Sequence, residues 1–374
     1  MSHKGPLRAL IDDGLAIGVS GGIGSHTAEL YRRLAIGQTL EVTGRQLQAS
    51  LTLRPTYRML PRVAARALYH LGLNTWDPIC HAARRYGIVH GANFFVPAWK
   101  APGVKYVLMV HDLSAWEAPG LEPVPGWYWP YAKSAMACGV RSADAVVVRT
   151  PSTGRRLASR FNVRSERIYV CPDAIKDVYI GPAPPADKRE PLLLFVGTLV
   201  RRKNPETVVR AFAELATRSP ELRLVMVGRA GSASGEVEKA VRESEVTDRI
   251  EVRHGLADTD LASLYRHASL LIMPSHYEGF GIPVIEAMAS GLPVVASDIE
   301  VFREVGGDAA AYYGEPEDVA ALASTVAALL DDGPRRVRMA EVGLARSEQF
   351  HWDKIIRRYL EIYEAVLSQP RRSA

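Results

Sequence analysis

From residue 192 onward the chain alternates short apolar runs with amphipathic stretches. Leu192–Val196 is apolar throughout and stops at Gly197, and residues 204–218 show helical spacing. Residues 222–227 end at Gly228 and precede a polar helical stretch over 236–245. Then follow a strand pattern at 250–252, a helix at 261–267, a strand at 269–273, a helix at 283–289 and a strand at 293–296. Short runs without a polar face, alternating with helices, predict a parallel sheet covered on both sides.

The first half repeats this theme less cleanly. Residues 106–110 and Ala145–Val148 read as buried strands, and 88–90 as the end of another. Helices are expected over 25–34, 63–71 and 130–140, while 38–60 shows no pattern that assigns it. Residues 352–367 carry apolar side chains at 355, 356, 359, 360, 363, 366 and 367, which is helical spacing. That helix is expected to pack across a domain boundary. No repeat at solenoid spacing appears.

A length of 374 residues exceeds what one core usually supports and implies roughly two domains. Four prolines within residues 180–191 deny helix and central strand, so an exposed linker is expected there. The resulting division is 1–185, 186–350 and a C-terminal helical segment 351–374 that returns to the first domain. Charge supports it: residues 1–185 hold 22 Lys and Arg against 12 Asp and Glu, and the remainder 24 against 29. With 47% hydrophobic and 23% charged residues the composition is globular, which excludes disordered, collagen-like and coiled-coil chains. Three scattered cysteines without a C-x-x-C pair provide neither a disulfide framework nor a zinc site, so a reducing compartment is expected. The start lacks the apolar stretch of a secretory signal. The longest apolar candidate span, 319–330, falls short of the ~18 residues a membrane span needs.

Parallel sheets bind ligands at the carboxyl ends of their strands. Two such domains facing each other would make those ends the walls of one cleft. After the strand at 269–273 comes Ser275-His-Tyr-Glu-Gly-Phe-Gly-Ile-Pro-Val-Ile-Glu-Ala-Met-Ala-Ser-Gly-Leu-Pro-Val-Val-Ala-Ser-Asp298. Gly279 and Gly281 let the backbone approach a ligand, and Pro283 suits a first helical turn. Free N–H groups at such a helix start bind anions, phosphates above all. Glu278 and Glu286 bracket that point and suit hydroxyl recognition.

The run Glu278-Gly-Phe-Gly-Ile-Pro-Val-Ile-Glu286 and its continuation resemble the hallmark of retaining family-4 glycosyltransferases of the GT-B fold, mannosyltransferase-like members of bacterial polysaccharide biosynthesis included. Four further stretches agree, in the family's order: Gly21-Gly-Ile-Gly24, Val110-His-Asp-Leu113, Phe195-Val-Gly-Thr-Leu-Val-Arg-Arg-Lys-Asn204 and Phe350-His-Trp-Asp353. The resemblance implies an α/β chain of two Rossmann-like, doubly wound parallel-sheet domains across a cleft, the first on the acceptor side and the second binding a nucleotide-sugar donor.

By the same resemblance, Lys203 and a preceding arginine grip the donor diphosphate. Arg forks and Lys acts as a point charge, a pairing suited to that role. Many members place Arg directly after the strand's glycine, where this chain has Thr198, so Arg201 or Arg202 stands in and the choice stays open. His111 contacts the transferred sugar. Glu278 binds donor-sugar hydroxyls, Glu286 accepts from the ribose, and the backbone of Phe280, Gly281 and Ile282 meets sugar and phosphate. Gly22 and Gly24 line the opposite wall near the phosphates, and the base rests near Arg229 and Leu256. The catalytic set is thus His111, Glu278, Arg202 and Lys203. The glycine turn at 21–24 does not complete G-x-G-x-x-G, which disfavours a nicotinamide dehydrogenase. Another departure is Cys171-Pro-Asp-Ala-Ile175, where the family has Pro-Asn-Gly, which leaves that loop's shape open.

Asp258-Thr-Asp260 forms a D-x-D, the metal motif of other glycosyltransferases. Here it precedes the helix at 261–267 and is expected to cap it. No metal and no cofactor are expected, because the nucleoside-diphosphate sugar is a substrate and Arg and Lys take up its charge. Arg54, Arg58, Arg62 and Arg66 recur every four residues beside apolar positions, and Trp127-Tyr-Trp-Pro-Tyr131 adds aromatics. That pattern fits an interfacial helix on anionic membrane as well as a solvated face over a core helix. No nucleic-acid module accompanies the charge. The expected activity is retaining transfer of a hexose, mannose from GDP-mannose as the best match, to a saccharide or lipid-linked saccharide in the cytoplasm or at the inner membrane face. An epimerase or phosphorylase on the same fold, and a non-catalytic nucleotide-sugar-binding subunit, are the alternatives.

Overall fold

A computed structural model of the chain describes residues 7–12, 29–30, 32–34, 40–44, 87–91, 96, 102–121 and 126–370. The chain forms two compact units, one of residues 1–113, 126–172 and 353–374, the other of 114–125 and 173–352. The boundary at 172/173 places the proline-rich segment 180–191 inside the second unit. There it holds a 3-10 turn at Ala186–Lys188, and Arg189 donates to the carbonyls of Pro184, Tyr265, Ala268 and Ser290. The segment is therefore anchored as well as exposed, because one guanidinium satisfies helix-end carbonyls that would otherwise lack donors.

The first unit contains a six-stranded sheet in the order β2-β1-β3-β4-β5-β6, with every pairing parallel. The strands are β1 (Leu7–Asp12), β2 (Leu40–Gly44), β3 (Ile88–Gly91), β4 (Lys105–Val110), β5 (Ala145–Val148) and β6 (Ile168–Val170). β2 lies in the stretch whose pattern assigned nothing. β4 and β5 are apolar on both faces and buried on both, as the unbroken runs predict. Helices α1 (Ser114–Glu117), α2 (Tyr128–Ser142) and α3 (Pro151–Phe161) follow β4 and β5 in sequence. α3 starts where Thr150 accepts from Thr153 N and Pro151 enters the first turn, and it ends at Asn162 in the left-handed region. The described residues 29–30 and 32–34 of the expected helix 25–34 are helical. The expected helix at 63–71, the arginines 54, 58, 62 and 66, and the glycine turn at 21–24 lie outside the described residues.

The second sheet runs β12-β11-β10-β7-β8-β9, again all parallel. Its strands are β7 (Leu192–Val196), β8 (Arg223–Val227), β9 (Ile250–Arg253), β10 (Leu270–Met273), β11 (Val294–Ala296) and β12 (Ala310–Tyr312). Alternate residues of β7 feed opposite cores. Leu194 and Val196 pack with Tyr265, Val284, Ile285 and Phe302, while Leu193 and Phe195 pack with Val209, Phe212, Leu322 and Val326. α6 (Asp258–His267), α7 (Ile282–Ala289) and α8 (Glu300–Gly306) thus cover one face. α4 (Pro205–Ala216), α5 (Ser234–Glu243) and α9 (Val319–Asp331) cover the other, while α10 (Gly333–Ser347) gives Met339 to that second core and sets Gly343 against Met288 of α7.

Relabelled within this unit, the order is 3-2-1-4-5-6, the doubly wound arrangement whose direction reverses between its first and fourth strands. That switch point lies between β7 and β10. The last helix, α11 (Trp352–Ser368), contributes residues 353–368 to the first unit. Ile355, Tyr359, Ile362, Tyr363 and Val366 form its buried stripe. Among the described residues no helix is long and apolar enough to cross a membrane.

Candidate active site

The loops that leave β7 and β10 meet at the switch point, and their sequences explain why. Beyond Val196 the backbone passes Gly197 and Thr198 into a 3-10 turn at Arg201–Lys203, which Asn204 closes in the left-handed region before Pro205 starts α4. A Cβ on Gly197 would lie 2.6 Å from Cδ of Lys203, so glycine there lets the lysine stem fold back over the strand end. Gly228, at the end of β8, is tighter still: its Cβ would sit 1.8 Å from the Gly197 carbonyl oxygen.

From the β10 side, His276 N donates to the Arg202 carbonyl at 2.9 Å and ties the two loops together. Lys203 Nζ donates to Glu278 Oε1 at 2.7 Å, and Arg202 Nη1 donates to Glu278 Oε2 at 3.2 Å and to the Tyr277 carbonyl at 2.8 Å. Ser275 Oγ donates to Glu278 Oε1 at 2.9 Å. The Glu278 side chain is 8% exposed and its two cationic partners 19% and 13%, so these charges act in a low dielectric. Burial alone would raise the Glu278 carboxyl. The fields and hydrogen bonds of Lys203 and Arg202, with the Ser275 hydroxyl, override it and hold the group at about 2. Two cations share one carboxylate, leaving a net positive charge.

The two arginines between which the sequence left the choice open point apart. Arg202 turns to Glu278, whereas Arg201 is exposed and pairs with Glu236 at 2.9 Å. Beyond Glu278, Gly281 sits at φ 96°, where a Cβ would press on Phe302 at 3.0 Å, and α7 begins at Ile282 with Pro283 in its first turn. Phe280 is buried edge-on to Phe350 at 5.7 Å between ring centroids. The first-turn N–H groups of α7 therefore lie next in the chain to the Arg202–Glu278–Lys203 triad, a positive helix end beside a positive cluster.

Glu286 lies one turn into α7, buried, and accepts from the Tyr265 hydroxyl at 2.9 Å. Burial raises its carboxyl to about 7, opposed by the Tyr265 hydrogen bond and Lys176 and reinforced by Asp258. Tyr265 is itself fully buried and pushed far up, so its hydroxyl keeps the proton it donates to Glu286. Thr198, half-buried, follows β7. Arg229 is exposed after β8 and accepts from Leu199 N at 2.9 Å through its carbonyl. Leu256, half-buried, follows β9.

Asp258 and Asp260 do not cap α6. The helix begins at Asp258 with Ala257 as its cap residue, and no side chain bonds the cap. Asp258 instead accepts from Lys176 Nζ at 2.9 Å and from Tyr179 Oη at 3.3 Å. The first turn formed three residues earlier than expected, which places both aspartates against the positive helix end rather than beyond it. Ser275 and Tyr265, the hydroxyl partners of the two glutamates, were not singled out by sequence. Ser275 lies three residues before Glu278, a spacing that could have drawn notice, but nothing local links Tyr265 to Glu286.

In the first unit, His111 directly follows β4 and is half-buried. Arg149, which the sequence reading passed over, directly follows β5 and donates from Nε to His111 Nδ1 at 3.4 Å. Gly22 and Gly24 lie outside the described residues.

Residues 20–177 match the model of glycosyltransferase family 4, and residues 181–346 that of glycosyl transferases group 1. The chain is 31% identical to a D-inositol 3-phosphate glycosyltransferase of Kineococcus radiotolerans over 77% of this chain and 73% of that one. It is 28% identical to the O-antigen chain mannosyltransferase B of Escherichia coli, covering 92% and 96% of the two chains. Among solved structures, sucrose-phosphate synthase from Thermosynechococcus elongatus superimposes with a TM-score of 0.76 at 21% identity, covering 97% and 99%. WaaG, a glycosyltransferase involved in lipopolysaccharide biosynthesis, gives 0.68 at 18% identity, covering 96% and 99%. Two doubly wound parallel sheets, the loop constellation at the second switch point and these matches along nearly the whole sequence place the chain among the family-4 glycosyltransferases of the GT-B fold.

Proposed function

We propose that the protein transfers a hexose with retention at the anomeric carbon, mannose from GDP-mannose or a related GDP-sugar being the favoured donor, to a saccharide or lipid-linked saccharide. The observation that carries the reading is the Arg202–Glu278–Lys203 triad beside the start of α7. When the glycosidic bond to the diphosphate breaks, negative charge develops on the leaving oxygens. Arg202, Lys203 and the helix N–H groups stabilise it where water is scarce, the electrostatic part of catalysis. Glu278 accepts from donor-sugar hydroxyls, Glu286 from the ribose, and His111 hydrogen-bonds the transferred sugar. A donor phosphate oxygen takes the acceptor's proton in same-face attack, so no protein base is assigned. Because two side-chain cations meet the diphosphate, turnover is proposed to be metal-independent and to survive chelation.

The mannosyl assignment draws support from the Escherichia coli relative, whose name specifies mannosyl transfer. Several other relatives are named for D-inositol 3-phosphate, so that acceptor belongs in the same assay as oligosaccharides and lipid-linked sugars. Thermal-shift screening with GDP, UDP, ADP and dTDP selects the base. NMR of the product's anomeric proton then reads retention or inversion. A transferase releases nucleoside diphosphate at a rate set by acceptor. Release independent of any acceptor together with an epimerised sugar would establish the epimerase alternative, and binding without turnover the non-catalytic one.

A further inference from the structure

The carboxyl end of the first sheet carries a buried cation with no place in the reading above. Parallel pairing sets Val110 opposite Val148, so His111 and Arg149 are the next register neighbours. Arg149 is 2% exposed. A guanidinium at that depth is costly unless its donors are met. Its Nη1 donates to Tyr359 Oη at 3.3 Å and to the Pro172 carbonyl at 3.4 Å, while Nε is directed at His111 Nδ1. Tyr359 comes from α11, which packs Tyr363 against His90 on β3, Nδ1 and Oη being 2.7 Å apart. Arg149 is thus held by α11 and by the loops that leave β4 and β6, and is not free to swing away.

A guanidinium carries donors only and keeps its proton throughout the physiological range. His111 Nδ1 facing an Arg N–H must therefore be the bare, accepting nitrogen, and the ring proton resides on Nε2. A carboxylate in the same place would do the reverse, stabilising an imidazolium and making the ring a base, as in hydrolase triads. We propose that Arg149 is a positioning residue for His111: it fixes the neutral Nε2–H tautomer, so that His111 offers the sugar a hydrogen-bond donor and does not act as a base. The inference rests on the reading of His111 as the residue that meets the transferred sugar. It also accounts for chemistry in which the proton goes to the donor phosphate rather than to the protein.

The test is ¹⁵N NMR of the full chain labelled at histidine, with the His111 signals assigned through His111→Gln. At pH 7 the expected spectrum shows a protonated Nε2 and an unprotonated Nδ1 for His111. In parallel, Arg149→Met is expected to lower kcat about 10- to 100-fold, the usual penalty for a misplaced reacting group, with donor KM within about 3-fold. Arg149→Lys restores part of kcat. A proton on Nδ1 in the wild-type spectrum, or Arg149→Met turning over normally while His111→Ala is inactive, overturns the proposal and leaves the reading of His111 intact. Wild-type turnover in His111→Ala overturns that reading together with the positioning role built on it. Should Arg149→Met fail to fold, the wild-type spectrum alone decides.

Discussion

Glu278 holds the two cations assigned to the diphosphate, and its neighbours should therefore respond to mutation with opposite signs. Lys203→Ala removes a positive charge and is expected to weaken nucleoside-diphosphate binding about 10- to 100-fold, in the range of a lost charge-assisted contact. Glu278→Gln removes the negative charge, so calorimetry should show diphosphate affinity unchanged or increased, while turnover collapses for want of the sugar contact. The same variant leaves two mostly buried cations facing each other, so its Tm falls without ligand and recovers more than wild type on adding nucleotide. Equal weakening in both variants would contradict the assignment. Glu286 adds a proton-linked response. Its folded carboxyl titrates near 7 against an ordinary 4.5, so the fold favours the protonated form. That stability is complete below pH 4.5 and is lost as pH rises through about 7, amounting to as much as ~3 kcal/mol. Glu286→Gln should accordingly raise Tm relative to wild type at pH 8 and not at pH 4.5. Nucleotide affinity should fall as pH drops below about 7, and Tyr265→Phe, which removes a hydrogen bond to the carboxylate, should move that midpoint upward. At this scale the sequence showed both glutamates and the Arg-Lys pair. It could not choose between Arg201 and Arg202, because adjacent residues of a 3-10 turn point apart and only the turn's placement decides which meets Glu278.

At the scale of elements, the apolar runs located β7, β8, β9, β10 and β11 to within a residue or two, the clearest being strands buried on both faces, which have no polar position to blur them, whereas the three-residue β12 was not assigned. β2 was illegible for the opposite reason: Leu40-Glu-Val-Thr-Gly44 alternates too briefly to stand out. α6 was misread because Asp-Thr-Asp suits a cap and a first turn equally. What the strand pattern could not convey is how closely consecutive loops approach, and the glycines record it. With its Cβ directed at the Gly197 carbonyl, Gly228→Ala must displace backbone rather than a flexible side chain. We expect it to cost roughly 2 kcal/mol or more and to lower Tm by several degrees. Gly235→Ala, whose Cβ meets nothing within 4 Å, serves as the neutral control on a nearby helix. The Cys171–Ile175 loop lacks the family's glycine and has no residue at positive φ, so it takes a shape that ordinary residues accept.

On the scale of the whole molecule, both sheets are parallel throughout, but the first unit takes a helix from residues 353–368, far in sequence from its strands. Residues 353–368 supply Tyr359 and Tyr363 to the buried His90–Arg149 network, Arg358 to the Val170 carbonyl at 3.1 Å and an apolar stripe to its core. The second unit has both faces of its sheet covered by helices from within 173–352. The helical period of 352–367 was visible in sequence; its partners were not, because they lie more than 180 residues away and periodicity reports a buried face without naming what buries it. This asymmetry predicts how truncation acts. Ending the chain at Trp352 removes the hydrogen-bond partner of a fully buried histidine and uncovers apolar surface in the first unit, while leaving the packing of β7 to β12 in place. Hydrogen exchange should then show β3, β4 and β5 amides losing protection by orders of magnitude, with β7, β8 and β10 close to wild type. Uniform loss across both sheets would mean instead that the units unfold as one. A first unit that takes a helix from residues 353–368 cannot be completed until that helix has been made, after all of β7 to β12. Refolding of the full-length protein should therefore show β8 and β10 protected before β3 and β4 in pulse-labelled exchange.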